Sequence, residues 1–444
     1  MVVSTFKKLT IKLLDVFGKK LRALMNRKIK QDSSDRELLK NIFFTSLRLA
    51  DPVTKLSKLE FKKPLGRLFF VAVGKGAGRH AKAFKSNYKG LADGVVILPD
   101  NEECEDLGFK VFKASHPVPS SSGLEGAKYL VGEVKSLREN DLLIFCISGG
   151  ASALLPYPPE GFTLDDEIHL NRTLLSSGLS IKEMNVYRGV FSQIKAGKLA
   201  KATHPCPIIS LVVSDIPGDE LALVGSGPTF IQKPNFGSLT TLKFGGKLDG
   251  YIKEALSSDR DEKTYENGQK AFCLSSSKIL FDGATDYINK TLGINSLVLS
   301  SQYEGDPRSL VQLYKKTIQE ISSSDSKIEK PVVILSGGEV EIKLPESHGI
   351  GGRNSQFSLV LSKAIEGMEG VTALSADTDG IDGNGSNAGA IVDGFTYSRL
   401  RKYYWNIDPE KLFDSFNVHK KVNSLFCTGP TGINLNDFRA VLVR

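Results

Sequence analysis

DLLIFCISGGASALL, residues 141–155, is the most telling stretch of the chain. Leu142–Ile147 is an unbroken apolar run, short enough to be a strand buried on both faces. Ser148, Gly149 and Gly150 follow at once, and Ala151–Leu155 then reads as a helix start. A strand, a glycine turn and a helix together aim unpaired backbone N–H groups and a positive dipole end at an anion. The pattern recurs at LFFVAVGKGAG (68–78), IISLVVSDIPGD (208–219), PVVILSGGE (331–339), VTALSADTDGIDG (371–383) and SLFCTGPTG (424–432). Open parallel sheets carry their ligands at the carboxyl ends of the strands, and this chain keeps its conspicuous polar residues there.

On either side the alternation continues. Strands are predicted at 68–73, 94–98, 111–114, 142–147 and 208–213, with helices at 33–50, 79–88, 120–137, from 164, and around 185–200. This order predicts a parallel sheet with helices on both faces. Composition shifts over 232–270, which places a domain boundary at 245/246. Strands at 270–274, 295–299, 331–335, 371–375 and 424–428, separated by helices near 278–291, 307–323 and 355–366, predict a second α/β structure. The expectation is an α/β protein of two domains. A Rossmann-like three-layer domain with a parallel sheet spans 33–245, and a mixed α/β domain spans 246–444.

Of the formal net charge of +8, residues 1–30 supply all, with nine Lys/Arg against the single acid Asp15. The remainder is neutral, so no nucleic-acid-binding body is expected. The tail has Phe6, Leu9, Leu13, Phe17, Leu21 and Leu24 at helical spacing, which fits a basic amphipathic helix on a membrane or a partner as well as a solvated extension. No apolar run approaches the ~20 residues of a membrane span. Five scattered cysteines without a CxxC read as reduced thiols in a cytoplasmic protein. Six scattered histidines show no zinc spacing.

Several motifs carry candidate chemistry. Gly74-Lys75-Gly76-Ala77-Gly78 resembles a truncated dinucleotide turn, but a lysine inside the loop suits a phosphate clamp. A structural turn with a solvated lysine fits the same residues. No GxxxxGK[ST] occurs, so a P-loop is excluded. Ser148, Gly149, Gly150 and Ser152 suit an anion cradle better than a nucleophile elbow, which would read GxSxG. Asp377, Asp379 and Asp382 lie on a Gly-rich loop and suit Mg²⁺, or Asx-turn and capping chemistry. A calcium loop is disfavoured because Ala388 stands where its bidentate Glu belongs. Arg353 follows Gly349, Gly351 and Gly352, and three glycines in four residues suggest close backbone approach. Asp215 and Asp219, with Ser226 and Gly227 downstream, are candidates for metal or general base. His116 is a lone loop histidine. Together these are the parts of a phosphoryl-transfer site, where positioning and charge neutralisation do most of the catalysis.

From residue 36 onward the chain resembles the class II glycerate kinases, the glycerate 2-kinases with a C-terminal MOFRL domain. The resemblance rests on VGKGAG, SHPVPSSSGLEGA, ISGGASALL, NVYRGVFSQIKAGKLA, VSDIPGDELALVGSGPT, SGGEVEI, GIGGRNSQ, SADTDGIDG and GPTGINLND, in family order. It implies two α/β domains, the MOFRL region over about 330–440, and an active site in the cleft between the domains. It also implies phosphorylation of the 2-hydroxyl of D-glycerate with ATP and Mg²⁺, with Lys75 and Arg353 essential. On this reading Lys75 and Ser148–Ser152 hold the ATP phosphates, with Gly74 and Gly76. Arg353 neutralises the moving phosphoryl group or grips the substrate carboxylate, beside Gly351, Gly352 and Asn354. Asp215 or Asp219 orients the hydroxyl, Asp377, Asp379 or Asp382 holds metal, and His116, Arg188, Ser226 and Gly227 line the substrates. Two departures stand out: Ser355-Gln356 where the family has Gln-Glu, and Gly189-Val190 where it has a Lys-His pair. They keep open a non-catalytic metabolite-binding homologue, while the dinucleotide-like look of 74–78 keeps open an NAD(P)H-dependent hydroxypyruvate reductase, disfavoured because no His–acid pair serves the carbonyl and Lys75 has no role in it. A homodimer also stays open, as does a weak contact through residues 1–30.

Overall fold

The computed structural model describes residues 33–231, 241–257 and 268–444. The basic N-terminal extension expected over 1–32 lies outside the described residues. Two compact units emerge. One holds residues 48–280 and 432–435, the other the flanking N-terminal residues to Leu47, 281–431 and 436–444.

The first unit is built on six strands: β1 Leu68–Val73, β2 Asp93–Pro99, β3 Lys110–Ala114, β4 Leu142–Ile147, β5 Ile208–Val213 and β6 Lys270–Ser275. All pair in parallel, in the order β3-β2-β1-β4-β5-β6. This doubly wound order reverses between β1 and β4, where such sheets bind ligands. The apolar runs are continuous because both faces are covered. Phe69, Val71, Phe145 and Ile147 pack on one side with Ala127, Leu130 and Val134 of the Ser121–Lys135 helix. Phe70, Ala72, Ile144 and Cys146 pack on the other with Ala77, Ala81 and Phe84 of the Ala77–Asn87 helix. Phe70 and Phe84 stack with ring centroids 4.1 Å apart, each such burial contributing about 2 kcal/mol. β6 was expected in the second layer structure. It joins the first sheet instead, pairing with β5 from Ile209↔Lys270 to Val213↔Ser275.

The second unit holds β7 Asn295–Gly305, β8 Val332–Val340, β9 Val371–Asp377, β10 Gly389–Asp393, β11 Leu425–Phe426 and β12 Asp437–Val443. Their order is β11-β10-β9-β12-β8-β7. Only β7 and β8 run parallel; the other neighbours are antiparallel. The helices Pro307–Ser322 and Arg353–Ala364 cover one face through Leu310, Tyr314, Phe357 and Leu361. Phe43 of the 33–50 helix meets Phe426 and Phe438 edge-on. The SGG of residues 336–338, expected in a strand-to-helix turn, lies inside β8. There Gly337 leaves room for the ring of Phe281.

Candidate active site

At the switch point of the first sheet, the loops after β1 and β4 are tied together. The backbone N–H of Lys75 donates to the carbonyl of Gly149 at 2.9 Å, and the Ser148 hydroxyl donates to the carbonyl of Lys75 at 2.8 Å. Gly74, at φ +117°, allows this, since a side chain there would strike Ser148. The cross-tie corrects one expectation. Gly74 and Gly76 do not present free donors to a phosphate. The N–H of Gly74 is given to Ile97, and that of Gly76 to the carboxylate of Glu102 at 2.8 Å. Burial raises the Glu102 carboxyl above the ordinary range, against the Gly76 hydrogen bond and the charges of Lys75 and Arg79.

The free donors lie one loop over. Among the described residues, the backbone N–H groups of Gly149, Gly150 and Ser152 have no hydrogen-bond partner. Gly150 has the Lys75 and His116 side chains against it, and Gly149 the carboxylate of Asp215. Burial, and then the charge of Lys75, lowers the His116 imidazole, which favours its neutral form at neutral pH. Lys75, His116, Asp215 and the 149–152 turn are thus brought together. Asp219 is placed otherwise. It sits at φ +50°, one carboxylate oxygen is buried without a hydrogen bond, and its charge acts on Cys273 in β6.

A polar network leads on from this turn. The Ser152 and Ser226 hydroxyls are 3.0 Å apart, and Ser226 donates to Asn185 Oδ1 at 2.9 Å. Asn185 gives its amide to the Leu223 carbonyl at 3.0 Å, which fixes the orientation of its oxygen. Arg188 donates from Nε to Asn171 Oδ1 at 3.0 Å and from Nη1 to Asn185 Oδ1 at 3.4 Å. Ser226, a non-glycine at φ +62°, is held by Ala196, whose N–H donates to its carbonyl at 2.9 Å. Gly227 is structural: its N–H is given to Val224, and a side chain would strike the Ala222 carbonyl.

In the second unit, Arg353 opens the Arg353–Ala364 helix. Its guanidinium lies 3.0 Å from Glu339, 3.3 Å from Asp377 and 3.6 Å from Asp437. Asp437 also pairs with the fully buried Arg439. Burial disfavours the Arg353 charge, but the three acids outweigh it and hold the guanidinium firmly protonated. The Asp377 carboxyl is pushed well above the carboxylate range, by burial first and then by Asp437 and Asp379.

Asp382, expected among the metal ligands, is buried and engaged within the fold. It caps the Arg353–Ala364 helix, accepting from the Asn354 N–H at 2.9 Å, the Ser355 N–H at 2.7 Å and the Ser355 hydroxyl at 2.5 Å. Asn354 is likewise structural, bridging Asp437 at 2.6 Å and Ser375 at 2.6 Å. The glycines before Arg353 do approach something closely, namely the protein itself: Gly349 abuts Asp414, Gly351 abuts Ser415 and Gly352 abuts Asp382. Asp379 uses one oxygen on the Ile381 N–H at 2.8 Å and is partly exposed. Among the described residues no three of His, Cys, Asp and Glu gather as a metal cage. A cavity of 420 Å³ opens beside Arg353, walled by Ile342, Leu344, Gln356 and Phe413 among others.

Glu102, Glu339, Asp437 and Arg439 were missed. Glu339 stood in a quoted motif, SGGEVEI, with an acid straight after the glycines. Asp437 closes another, GPTGINLND, whereas nothing in the local sequence marks Glu102 or Arg439, which only the tertiary fold brings to these positions.

Family models place the chain. Residues 20–247 match the family described as a domain of unknown function, DUF4147, and residues 332–437 match the MOFRL family. A D-glycerate 2-kinase of Thermotoga maritima is 33% identical over 85% of this chain and 90% of its own length. A glycerate 2-kinase of Pyrococcus horikoshii is 32% identical over 85% of this chain and 88% of its own. An Agrobacterium vitis protein with a provisional hydroxypyruvate reductase name is 33% identical over 85% of this chain and all (100%) of its own. The crystal structure of glycerate kinase from Thermotoga maritima superposes with a TM-score of 0.81 at 31% identity, covering 93% of this chain and 100% of that one. The chain belongs to the class II glycerate kinase family, in which a DUF4147 region is joined to a MOFRL region.

Proposed function

We propose that this chain is a glycerate 2-kinase, transferring the γ-phosphoryl group of ATP to the 2-hydroxyl of D-glycerate. The observation that carries the reading is the 149–152 turn: three backbone N–H groups, unpaired among the described residues, beside the Lys75 side chain suit the oxygens of a polyphosphate. Its kinship with named glycerate 2-kinases supports the same reaction. Asp215, against Gly149, would orient the attacking hydroxyl and take its proton. His116, neutral, adds hydrogen bonding without a competing charge.

Arg353 would neutralise charge on the moving phosphoryl group. The cavity beside it is large enough for a nucleoside. Mg²⁺ fits the acid surplus around Asp377, because that hard cation takes one or two carboxylates and keeps waters for phosphate. Asp377 would hold it with Asp379 or Glu339, and when bound it would supply charge neutralisation for the phosphates. No described helix is long and apolar enough to cross a membrane, and all five cysteines are free, which supports a cytoplasmic setting.

The test is an ATP–Mg²⁺ assay on D-glycerate with the product phosphate located by NMR. 2-Phosphoglycerate is expected. NADH oxidation with hydroxypyruvate and no ATP-dependent product would overturn the reading.

A further inference from the structure

The two candidate arginines, Arg188 in the first unit and Arg353 in the second, are opposites. Arg353 has three carboxylates within 3.6 Å. Arg188 is partly buried, and among the described residues no acid pairs with it; its bonds are to the neutral amide oxygens of Asn171 and Asn185. Among the described residues its Nη2 makes no hydrogen bond. The carboxylate on the neighbouring helix, Glu167, is buried; its Oε1 accepts from the buried ammonium of Lys195 at 2.6 Å, and its Oε2 has no hydrogen-bond partner among the described residues. Burial accordingly lowers the Arg188 pKa, and Glu167 offsets this only at a distance. A guanidinium kept out of water without a counter-charge is costly. Here the two asparagines spend themselves on orienting it, and Asn185 is itself locked by Leu223 and Ser226.

We infer that Arg188 is the receptor for the carboxylate of the small hydroxy acid, and so fixes the substrate class as short 2-hydroxycarboxylates. This rests on the kinase reading above and assigns the carboxylate to Arg188 instead of Arg353. The remaining edge of the guanidinium offers a fork that matches a carboxylate. The hydrogen-bond chain through Asn185, Ser226 and Ser152 ties it to the turn assigned to the phosphates, so acid and phosphoryl donor are positioned by one network.

The test uses the full chain with Arg188→Met and Arg188→Lys. Arg188→Met is expected to raise the KM for D-glycerate about 100-fold or more while leaving the KM for ATP within about 3-fold. Arg188→Lys is expected to recover only part of the loss. The second readout needs no turnover. Thermal melts of wild type should shift upward with D-glycerate, and those of Arg188→Met should not. Without ligand, Arg188→Met should melt no lower than wild type, because an unpaired charge is removed. A structural arginine would give a lower melt and an unchanged KM, and that result overturns the inference. So does a D-glycerate shift retained in Arg188→Met. If wild type is stabilised by D-glycerate through Arg188 yet makes no phosphorylated product, the kinase reading fails and the carboxylate site stands.

Discussion

The Arg353 guanidinium lies 3.3 Å from the Asp377 carboxyl within a cluster that has more acids than cations. Glu339, Asp377 and Asp437 face two guanidiniums, those of Arg353 and Arg439. Arg353 is therefore held in place by its acids, and a bound cation would release it toward phosphate. Arg353→Ala is expected to lower kcat/KM for both substrates by roughly 10³-fold. It also leaves Asp377 and Asp437 less compensated, so the variant should melt below wild type. Near-normal kcat/KM in a coupled assay would remove Arg353 from the mechanism.

The Asp377 carboxyl binds its proton more tightly in the fold than in the unfolded chain, with a folded value of about 9 against an ordinary 3.8. A group raised in this direction stabilises the fold at low pH and loses that contribution as pH rises through the folded value. Metal-free protein is thus expected to lose stability across that window. Asp377→Asn should flatten the slope, and Mg²⁺ should flatten it in wild type. Melting curves taken across the window decide it; identical slopes for wild type and Asp377→Asn would contradict the assignment.

Asp382 is a helix cap, so its loss should separate stability from metal dependence. Asp382→Asn keeps part of the cap and is expected to cost about 1 kcal/mol. The Mg²⁺ concentration giving half-maximal rate should stay as in wild type, whereas Asp377→Asn should raise it. A Mg²⁺ titration that moves equally for both variants would return Asp382 to the metal site.

Glu102 and Gly149 test which loop holds phosphate. Glu102→Ala frees the Gly76 N–H but should leave the KM for ATP within about 3-fold, because the donors in use are on the 149–152 turn. Gly149→Ala would press a methyl group onto the Asp215 carboxylate. Displacing that group by about 1 Å should lower kcat/KM about 100-fold. The opposite ranking would move the phosphates to the 74–76 loop.

The sequence made β1 through β5 legible because strands covered on both faces read as unbroken apolar runs. β6 read as a strand too, but its partner is set by topology, not by its own residues. β12 was missed for a physical reason. Its first residues, Asp437-Phe438-Arg439, look like a solvated loop, and their charges are buried only because they pair with each other and with Arg353. Lys75, Arg353, Asp215 and the 149–152 turn were legible as glycine-flanked polar residues after strands. Which N–H groups are already spent was not, because Glu102, Ile97 and Asp382 reach those loops from elsewhere in the chain.

β12, the last strand, is also the middle one of its sheet, flanked by β9 and β8. β7 through β11 all precede it in the chain, so the sheet stays split between β9 and β8 until β12 enters. Deleting β12 would remove the keystone of the sheet together with Asp437, whose carboxylate helps to seat Arg353.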